Sequence, residues 1–419
     1  MAFFTAASKA DFQHQLHLAL AQHVDEPTLS RLTPFADQFF GIVALEELTQ
    51  RRLSDLVGCV LSAWRLLERF NPAQPQVNVF NPEYERHGWQ SAHTAVEVLH
   101  ADIPFLVDSV RMQINRSGHS VHTLQNSVLS VRRDETGRLL EVLPKGTQGE
   151  GVSQESVIFL EIDRCASASD MKALESALLE VLGEVRLAVN DFNPMKQRVA
   201  HLLDQLDTMA GPNVGAEELD EVKTFLAWLN DNHFTFLGYE EFTVENEGEG
   251  GRIFYDESSL LGLSRQLRIG LTAEDAHIQT ESLQYFREPL LLSFAKAALP
   301  SRVHRPAYPD FVSIRQCDEQ GHVIREHRFM GLYTSNVYNQ SVEAIPFIRR
   351  KAAEVRRRAD FGASAHLGKE LAQVLEALPR DDLFQTPVDD LFATAMSIVQ
   401  IQERNKVRVF LRRDRKSVV

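Results

Sequence analysis

The chain has 419 residues, of which 44% are hydrophobic and 24% are charged. This length allows two to four domains, each large enough to bury a core, and the composition excludes a disordered or fibrous chain over most of the length. The formal net charge of −14 opposes binding to nucleic acid and to anionic membranes, unless a local basic patch overcomes it. We therefore expect a soluble cytoplasmic protein that binds neither nucleic acid nor membrane.

The cysteines and the N-terminus indicate a reducing compartment. Cys59, Cys165 and Cys317 lie far apart, which excludes a Cys-x-x-Cys metal pair and a disulfide framework, so buried thiols are expected. The N-terminus has a short apolar run and no basic start, so it does not resemble a secretory signal. No apolar run approaches the length of a membrane span.

Residues 1–88 are predicted to form a helical N-terminal segment. From Leu45 the apolar residues recur at the three-and-four spacing of one helical face, until Pro72 ends the run. Shorter patterns of the same kind cover residues 10–24 and 29–40.

Residues 89–215 are predicted to form a small α+β unit with a helical connector. A strand over His93–His100 precedes a helix over Pro104–Gly118, and further strands follow. Ser156–Asp163 is apolar on both faces, so it belongs inside a covered sheet. Ser169 is predicted to cap a long helix. This order of elements predicts helices on one face of a mainly antiparallel sheet.

Residues 216–344 are predicted to form a second α+β unit that is richer in strand. It opens with a helix over Leu219–Asn230, and glycine-rich turns cover residues 246–251 and 318–321. Its predicted strands are Phe234–Val244, Arg252–Tyr255, Leu290–Phe294, Asp310–Gln316 and His322–Thr334.

Residues 345–404 are predicted to form a helical linker, with breaks at Pro379 and Pro387. A final strand over Lys406–Arg413 has no later strand to pair with, so residues 405–419 are predicted to begin a unit that the chain does not complete.

The sequence lacks the common motifs of catalytic and cofactor-binding sites. No Gly-x-Gly-x-x-Gly loop follows a strand, and there is no Walker loop, His-Glu-x-x-His or Gly-x-Ser-x-Gly. Gly146–Gly151 has the wrong spacing and context for a dinucleotide loop. We predict no catalytic residue and no bound cofactor in this chain.

Two other sets of side chains are candidate binding sites. The first is a group of histidines without a nearby Cys or acidic partner at fixed spacing, which favours ordinary strand residues over metal ligands: His93, His100, His119 and His122. The second is the basic run Arg349–Arg358, which Glu354 interrupts and which would spread around a helix. This pattern favours a solvated or interdomain helix over nucleic-acid binding.

The segment Asp102–Ser109 predicts a turn between a strand and a helix. With Pro104 in the first turn, the backbone N–H groups after it would point into the turn and hold a carboxylate, while Asp102 would take the ammonium of the same amino acid. The alternative is that Asp102 only caps the helix. The candidate effector-binding residues are Asp102, Phe105, Leu106, Val107 and Asp108.

The chain resembles the N-terminal region of the large bacterial NAD-specific glutamate dehydrogenases, and the turn resembles that of an ACT domain, an amino-acid-sensing module. The resemblance covers about residues 30–414. It rests on motifs in family order: Asp102-Ile-Pro-Phe-Leu-Val-Asp-Ser-Val110, Phe234-Thr-Phe-Leu-Gly-Tyr239, Val303-His-Arg-Pro306, Arg328-Phe-Met-Gly-Leu-Tyr-Thr-Ser335, Ile345-Pro-Phe-Ile-Arg-Arg-Lys351 and Pro379-Arg-Asp-Asp-Leu-Phe-Gln385.

The resemblance implies a multidomain α+β fold of ACT-like βαβ-type sandwiches. Residues 89–215 would be the first ACT-like domain, 216–344 a second ACT-like or PAS-like domain, and 405–419 the start of a truncated third. The glutamate dehydrogenase core, which uses NAD, would lie in a longer parent chain. The implied partners are other copies of the chain, that downstream catalytic domain and an amino-acid effector.

One departure from the family pattern concerns the turn. Amino-acid-binding ACT domains often carry Gly after the turn proline, whereas Phe105 stands there in this chain. A phenyl ring would fill the site, which favours packing over ligand binding. We expect a regulatory and assembly region that is inactive alone. The alternatives are a stand-alone amino-acid sensor and a structural scaffold for oligomerisation.

Overall fold

The computed structural model describes most of the chain, in two compact units. The first unit contains Met1–Arg186 and Arg302–Pro306, and the second contains Leu187–Ser301 and Ala307–Val419. These units are coarser than the five segments predicted from the sequence. The described residues are 4–212, 214–247, 250–267, 290–362, 365–401, 407 and 409.

The first unit combines helices with one antiparallel sheet, whose strands run in the order β1-β2-β5-β3-β4. The strands are β1 (Gln76–Phe80), β2 (Thr94–Ala101), β3 (Val121–Arg133), β4 (Leu139–Leu143) and β5 (Val152–Ile162). The helices are α1 (Lys9–Leu20), α2 (Glu26–Phe39), α3 (Leu45–Thr49), α4 (Leu53–Leu67), α5 (Tyr84–His87), α6 (Leu106–Arg116) and α7 (Ala168–Asn190).

The predicted strands of this unit are confirmed, with three differences in detail. β1 was missed, because it lies inside the segment read as helical. The helix predicted from Pro104 begins at Leu106. The cap of α7 is Ser167 and not Ser169, since the Ser167 hydroxyl accepts a 3.1 Å hydrogen bond from the Asp170 N–H.

Helices cover both faces of this sheet, whereas one covered face was predicted. Buried side chains of α1, α2 and α4 form one core with alternate residues of the central strands, among them Ala95, Leu99, Val157 and Phe159. Alternation along β2 and β5 sends the buried Val96, Val98, Ile158 and Leu160 to the opposite face, where α6 contacts β3. The prediction that Ser156–Asp163 is apolar on both faces is explained by this double cover.

A carboxylate lies inside the face that the N-terminal helices cover. Glu97 is on β2 between Ala95 and Leu99, and its side chain is 1% exposed. Burial raises its pKa to about 6, although Ser62, Asn78 and Arg65 act to lower it.

The second unit contains a sheet in the order β7-β6-β11-β10-β9, with β8 paired to β6, among the residues described there. Its strands are β6 (Phe234–Glu247), β7 (Gly250–Tyr255), β8 (Leu261–Gly262), β9 (Leu292–Lys296), β10 (Asp310–Cys317) and β11 (Val323–Tyr333). Its helices are α8 (Phe192–Met209), α9 (Ala216–Trp228), the short helical turn α10 (Leu229–His233), α11 (Ser264–Leu267), α12 (Ser335–Asn339), α13 (Ile348–Ala359), α14 (His366–Ala377), α15 (Arg380–Gln385) and α16 (Val388–Ile401).

An ion network crosses the centre of this second sheet. The buried carboxylate of Glu326 lies 3.0 Å from Arg315 and 2.8 Å from Arg328, and Arg328 also reaches Glu240 at 3.3 Å. Burial acts to raise the pKa of Glu326, but the charges of Arg328 and Arg315 hold that pKa below its usual value. The network therefore keeps a buried carboxylate ionised.

The basic run lies on α13, where partners within the unit neutralise much of its charge. Glu354 accepts hydrogen bonds of 2.7 Å from Arg357 and Arg358, and Arg349 lies 2.6 Å from Glu221. The Lys351 ammonium donates to backbone carbonyl oxygens, including that of Phe384 at 2.7 Å. Helix α13 thus uses its cations to hold the helical region together.

Most of the predicted final strand over Lys406–Arg413 lies outside the described residues, as do residues 248–249 of the turn predicted at 246–251. On either side of these two residues, β6 and β7 pair Asn246 with Gly251 and Glu247 with Gly250. In the part of the chain that the structure describes, no helix has both the length and the apolar character needed to cross a bilayer.

Two helical glycines provide a matched test of packing in the first unit. A Cβ on Gly58 of α4 would lie 2.4 Å from the Cβ of Trp89, whereas a Cβ on Gly183 of α7 would meet nothing within 4 Å. Gly58→Ala should lower the free energy of unfolding by about 1–3 kcal/mol through overpacking. Gly183→Ala should raise it by about 0.5–1 kcal/mol through helix propensity.

Chemical denaturation followed by tryptophan fluorescence measures both changes. A Trp228→Phe background restricts the signal to Trp64 and Trp89 of the first unit. Equal effects of the two alanines would contradict the packing described at Trp89.

The burial of Glu97 predicts a pH-dependent stability. Its pKa of about 6 in the folded chain exceeds the ordinary value of 4.5. Its contribution to the free energy of unfolding is therefore fully present below pH 4.5 and is lost as the pH rises through 6. The free energy of unfolding of Glu97→Gln minus that of the parent chain should therefore be about 2 kcal/mol more favourable to the variant at pH 7.5 than at pH 4. Denaturation curves at both pH values measure this difference. Glu135 is exposed, so Glu135→Gln is the control. The prediction is refuted if the difference in free energy of unfolding between Glu97→Gln and the parent chain is as independent of pH as it is for Glu135→Gln.

Candidate functional site

The turn after β2 joins the sheet to α6. The Asp102 N–H donates a 2.9 Å hydrogen bond to the Gln154 carbonyl oxygen, which extends the pairing of β2 with β5 by one residue. Phe105 then adopts φ 73° and ψ −1°, and the Ser109 N–H donates to the Phe105 carbonyl oxygen at 3.0 Å. The left-handed conformation of Phe105 therefore turns the chain into the first turn of α6.

The capping interpretation of Asp102 is wrong. The N-cap residue of α6 is Phe105, and no side chain makes a capping hydrogen bond there. Pro104 precedes the helix by two residues and so is not its first-turn proline. Asp102 is exposed at the start of the turn, and partial desolvation raises the pKa of its carboxyl group.

Phe105 holds a backbone conformation that normally belongs to glycine. A non-glycine residue at positive φ costs roughly 1–2 kcal/mol, because its Cβ crowds the following carbonyl oxygen. Phe105 is only partly buried, so it does not lie in the core as a plug of the turn would. Its ring packs instead against the ring of His304, with centroids 4.7 Å apart and planes at 43°.

His304 belongs to the segment Arg302–Pro306, which is part of the first unit. Its own φ is 72°, and its N–H donates a 3.2 Å hydrogen bond to the buried Ser109 hydroxyl on α6. Arg302 lies 3.1 Å from Glu180 and 3.2 Å from Glu184 on α7. The segment is thus fixed to both helices that follow the central strands.

The His304 ring is neutral at physiological pH. Burial lowers its pKa, the charge of Arg305 lowers it further, and Asp108 acts in the opposite direction. Its Nδ1 atom is buried and makes no hydrogen bond with any described residue. This ring therefore offers an aromatic surface to Phe105 and not a charge.

The five predicted effector residues have different surroundings. Phe105 faces His304, and Asp108 is exposed on the first turn of α6 close enough to influence the His304 pKa. Leu106 is buried, and Val107 is partly buried. The residues that sequence reasoning missed are His304, Ser109 and Arg302. The motif Val303-His-Arg-Pro306 was a signal for them, but nothing in it revealed a contact with a turn about two hundred residues earlier.

The turn and its segment are joined by the ring contact of Phe105 with His304 and by the hydrogen bond from the His304 backbone N–H to Ser109. The histidines weighed as ligands lie elsewhere in the unit: His93 stacks on His122 at 4.2 Å, and His122 lies 2.7 Å from Asp163. Searching the described residues for three or more His, Cys, Asp or Glu side chains placed to hold a metal ion finds no such group.

Comparison with known proteins places these features in one family. The ACT1 domain of glutamate dehydrogenase matches residues 35–178, and helical motif 1 of glutamate dehydrogenase matches residues 345–404. The first match contains the five-stranded sheet and the Phe105 turn, and the second contains α13 to α16.

Curated relatives align along nearly the whole chain. The NAD-specific glutamate dehydrogenase of Pseudomonas aeruginosa is 68% identical over 414 residues, covering 99% of this chain and 26% of that protein. That of Halomonas elongata is 41% identical over 415 residues, covering 97% and 25%. That of Mycobacterium tuberculosis is 28% identical over 324 residues, covering 77% and 19%.

The chain spans about a quarter of the length of the first two of these relatives. Along the chain, the ACT1 domain precedes helical motif 1. The chain belongs to the NAD-specific glutamate dehydrogenase family, as a segment that carries its ACT1 domain and helical motif 1.

Proposed function

We propose that this chain is the N-terminal regulatory and assembly region of an NAD-dependent glutamate dehydrogenase in the cytoplasm. The parent protein would convert L-glutamate, NAD and water to 2-oxoglutarate, ammonium and NADH, and NAD would bind outside this chain. The observation that carries the proposal is the match of the sheet, turn and helices of the first unit to the ACT1 domain.

The Phe105 turn is the proposed point of regulation. Its backbone has the left-handed conformation that a glycine would take, and its ring packs against His304. This arrangement favours a packed turn over an open effector site. A stand-alone amino-acid sensor and a purely structural scaffold are the alternatives.

The proposed partners are other copies of this chain and the downstream catalytic domain. β1 and β4 end the strand order of the first sheet, so each has a side that pairs with no other strand of that sheet. Such edges support pairing with another module.

The proposal predicts that the chain lacks activity and that its region regulates a complete relative. The purified chain should produce no NADH from glutamate and NAD, with the Pseudomonas aeruginosa protein as the positive control. A chimera that carries this chain in place of the matching region should be active, because the two sequences are 68% identical there. Deleting the region should change the oligomeric mass or the response of the rate to added amino acids.

Two results would contradict this assignment. The first is glutamate-dependent turnover that follows the isolated chain through purification. The second is a deletion protein whose mass, rate and amino-acid response all equal those of the complete relative.

The strained turn predicts an order of stability among Phe105 variants. Phe105→Ala loses the ring contact with His304 and keeps the positive φ, so it should be destabilised by about 1–2 kcal/mol. Phe105→Gly loses the same contact but relieves the backbone, so it should be about 1 kcal/mol more stable than Phe105→Ala. Denaturation in the Trp228→Phe background measures both. Asp102→Ala, which removes no cap, should stay within about 0.5 kcal/mol of the parent chain.

Titration with the twenty standard amino acids then separates sensor from packed turn. If the turn is packed, the parent chain should bind no amino acid there. Phe105→Gly should then open the turn to an amino acid, and adding Asp102→Ala to the glycine variant should abolish that binding. Binding to the parent chain that Asp102→Ala abolishes would instead establish a working sensor. Equal stability of the glycine and alanine variants would contradict the strain at Phe105.

A further inference from the structure

The two edge strands of the first sheet have different surroundings, and β4 is the protected one. The Arg31 side chain of α2 donates a 3.0 Å hydrogen bond to the Leu139 carbonyl oxygen. The Gln38 side chain of the same helix donates one of 2.9 Å to the Leu143 carbonyl oxygen. The Leu139 N–H donates to the Glu68 carbonyl oxygen at 3.0 Å. Neighbouring parts of the unit thus occupy backbone groups of β4, as is usual where a fold protects a sheet edge.

The β1 edge has no such cover. No backbone group of residues 77–80 makes a hydrogen bond with a described residue outside the ladder between β1 and β2. In an antiparallel ladder, alternate residues direct their N–H and C=O groups toward the partner strand, so the other residues of β1 direct theirs away from it. The β1 sequence Gln-Val-Asn-Val-Phe also lacks the charges that usually protect an edge. β1 therefore offers backbone donors and acceptors to a further strand.

A cavity of about 630 Å³ lies along this edge. Four consecutive residues, 78–81, line it, and the first three of them belong to β1. Successive side chains of a strand point to opposite faces, so a space that touches all of these residues borders the edge and not one face alone. Its walls are α4, which belongs to the core on one face of the sheet, and the first turns of α7, which does not.

The cavity has the size of a short strand. Residues of an antiparallel strand advance about 3.4 Å each, neighbouring strands lie about 4.8 Å apart, and packed layers lie about 10 Å apart. By these spacings a strand of four residues takes roughly 650 Å³. The space therefore matches one added strand between α4 and α7. The β1 strand of a second copy fits less well, because its own α4 and α7 would accompany it.

Most of the charges that line the cavity are already compensated. Lys172 and Glu175 of α7 pair with each other at 2.8 Å. Glu97 is only 1% exposed, and Asn78 and Ser62 are its hydrogen-bond partners. These groups are therefore not the ones that select a partner.

Three exposed charges remain at the rim of the cavity. Arg65 of α4, Arg86 of α5 and the carboxylate of Glu83 line it, and none of them forms an ion pair with a residue that the structure describes. Two unpaired cations against one carboxylate run counter to the net charge of −14 of the whole chain. They favour a partner strand that carries carboxylates, the groups with which arginine forms charge-assisted hydrogen bonds.

We propose that β1 binds an extended, acidic segment of a partner polypeptide, which adds a strand to the free edge of the sheet. Main-chain hydrogen bonds to β1 provide the affinity, and Arg65 and Arg86 select the charge. The proposal rests on the assembly role proposed above, from which it takes one edge and gives it a single strand as its occupant. Deletion from a complete relative tests that role, whereas peptide binding to this chain tests β1, so either can fail alone.

Calorimetric titration of the full chain with two synthetic peptides tests the choice of partner. The acidic probe is acetyl-Val-Glu-Val-Glu-Val-amide, and the basic probe carries lysine in place of both glutamates. At pH 7.5 the acidic probe should bind about 3- to 10-fold more tightly, the worth of two exposed ion pairs. The double variant Arg65→Gln with Arg86→Gln should lose this preference. Equal binding of both probes to the parent chain would overturn the acidic partner.

A matched pair of alanines locates the bound peptide. Ala168 and Ala166 are both exposed, but only Ala168 lines the cavity. Ala168→Trp should fill the space and weaken the acidic probe at least tenfold, while Ala166→Trp should leave its affinity unchanged. Circular dichroism checks that both variants are folded. The proposal is overturned if the two tryptophans weaken binding equally.

Hydrogen exchange followed by mass spectrometry gives the location without a substitution. The acidic probe should slow amide exchange in residues 76–81, because an added strand occupies the free N–H groups of β1. Exchange in residues 139–143 of β4 should not change. Slower exchange at β4 alone would overturn the assignment to β1.

Methylation of the peptide nitrogens separates strand pairing from attraction between charges. Only alternate residues of an added strand face β1, so N-methylation of the second and fourth residues, or of the first, third and fifth, should abolish binding while the other set is tolerated. Equal affinity of the two methylated peptides would overturn the added strand, as would no binding of the acidic probe at about 1 mM. A dimer in sedimentation that Ala168→Trp dissociates would place a second copy of the chain at β1 and overturn the peptide segment as its occupant.

Discussion

The first unit depends on covering both faces of a five-stranded antiparallel sheet. β2 and β5 are buried along nearly their whole length, so neither face can be left to solvent. The helices α6 and α7 follow these strands directly in the chain, whereas the other face receives α1, α2 and α4 from the N-terminal segment. Removing those helices would expose apolar side chains such as Leu99 and Phe159, so the helical opening and the sheet form one core.

This double cover also determines how buried charges are accommodated. A strand buried on both faces must pair any carboxylate that it carries, and arginine does this for Glu155 and Glu161. In the second unit the same solution recurs on a larger scale, with Arg328 and Arg315 around Glu326. Glu97 departs from the pattern, because it accepts a hydrogen bond from the neutral Asn78 amide, and burial outweighs the effects of Ser62, Asn78 and Arg65 and raises its pKa to about 6.

Periodicity in the sequence was sufficient for elements whose burial repeats along the chain. The run Ser156–Asp163 predicted a doubly buried strand, and β5 is one. β1 was missed because an edge strand of five residues, only one of them buried, carries little pattern. The contact between Phe105 and His304 could not be predicted either, since their separation along the chain leaves no local signal. Nothing in the identity of a phenylalanine indicates a positive φ.

Two residues with a positive φ meet at the turn, and contacts within the unit hold them in that conformation. Phe105 and His304 both hold a positive φ, which persists only where surrounding contacts outweigh its cost. Those contacts are the hydrogen bond from His304 to Ser109 and the ion pairs of Arg302 with α7. The Phe105 ring is therefore committed to another part of the same unit, where α6 holds His304 and α7 holds the neighbouring Arg302.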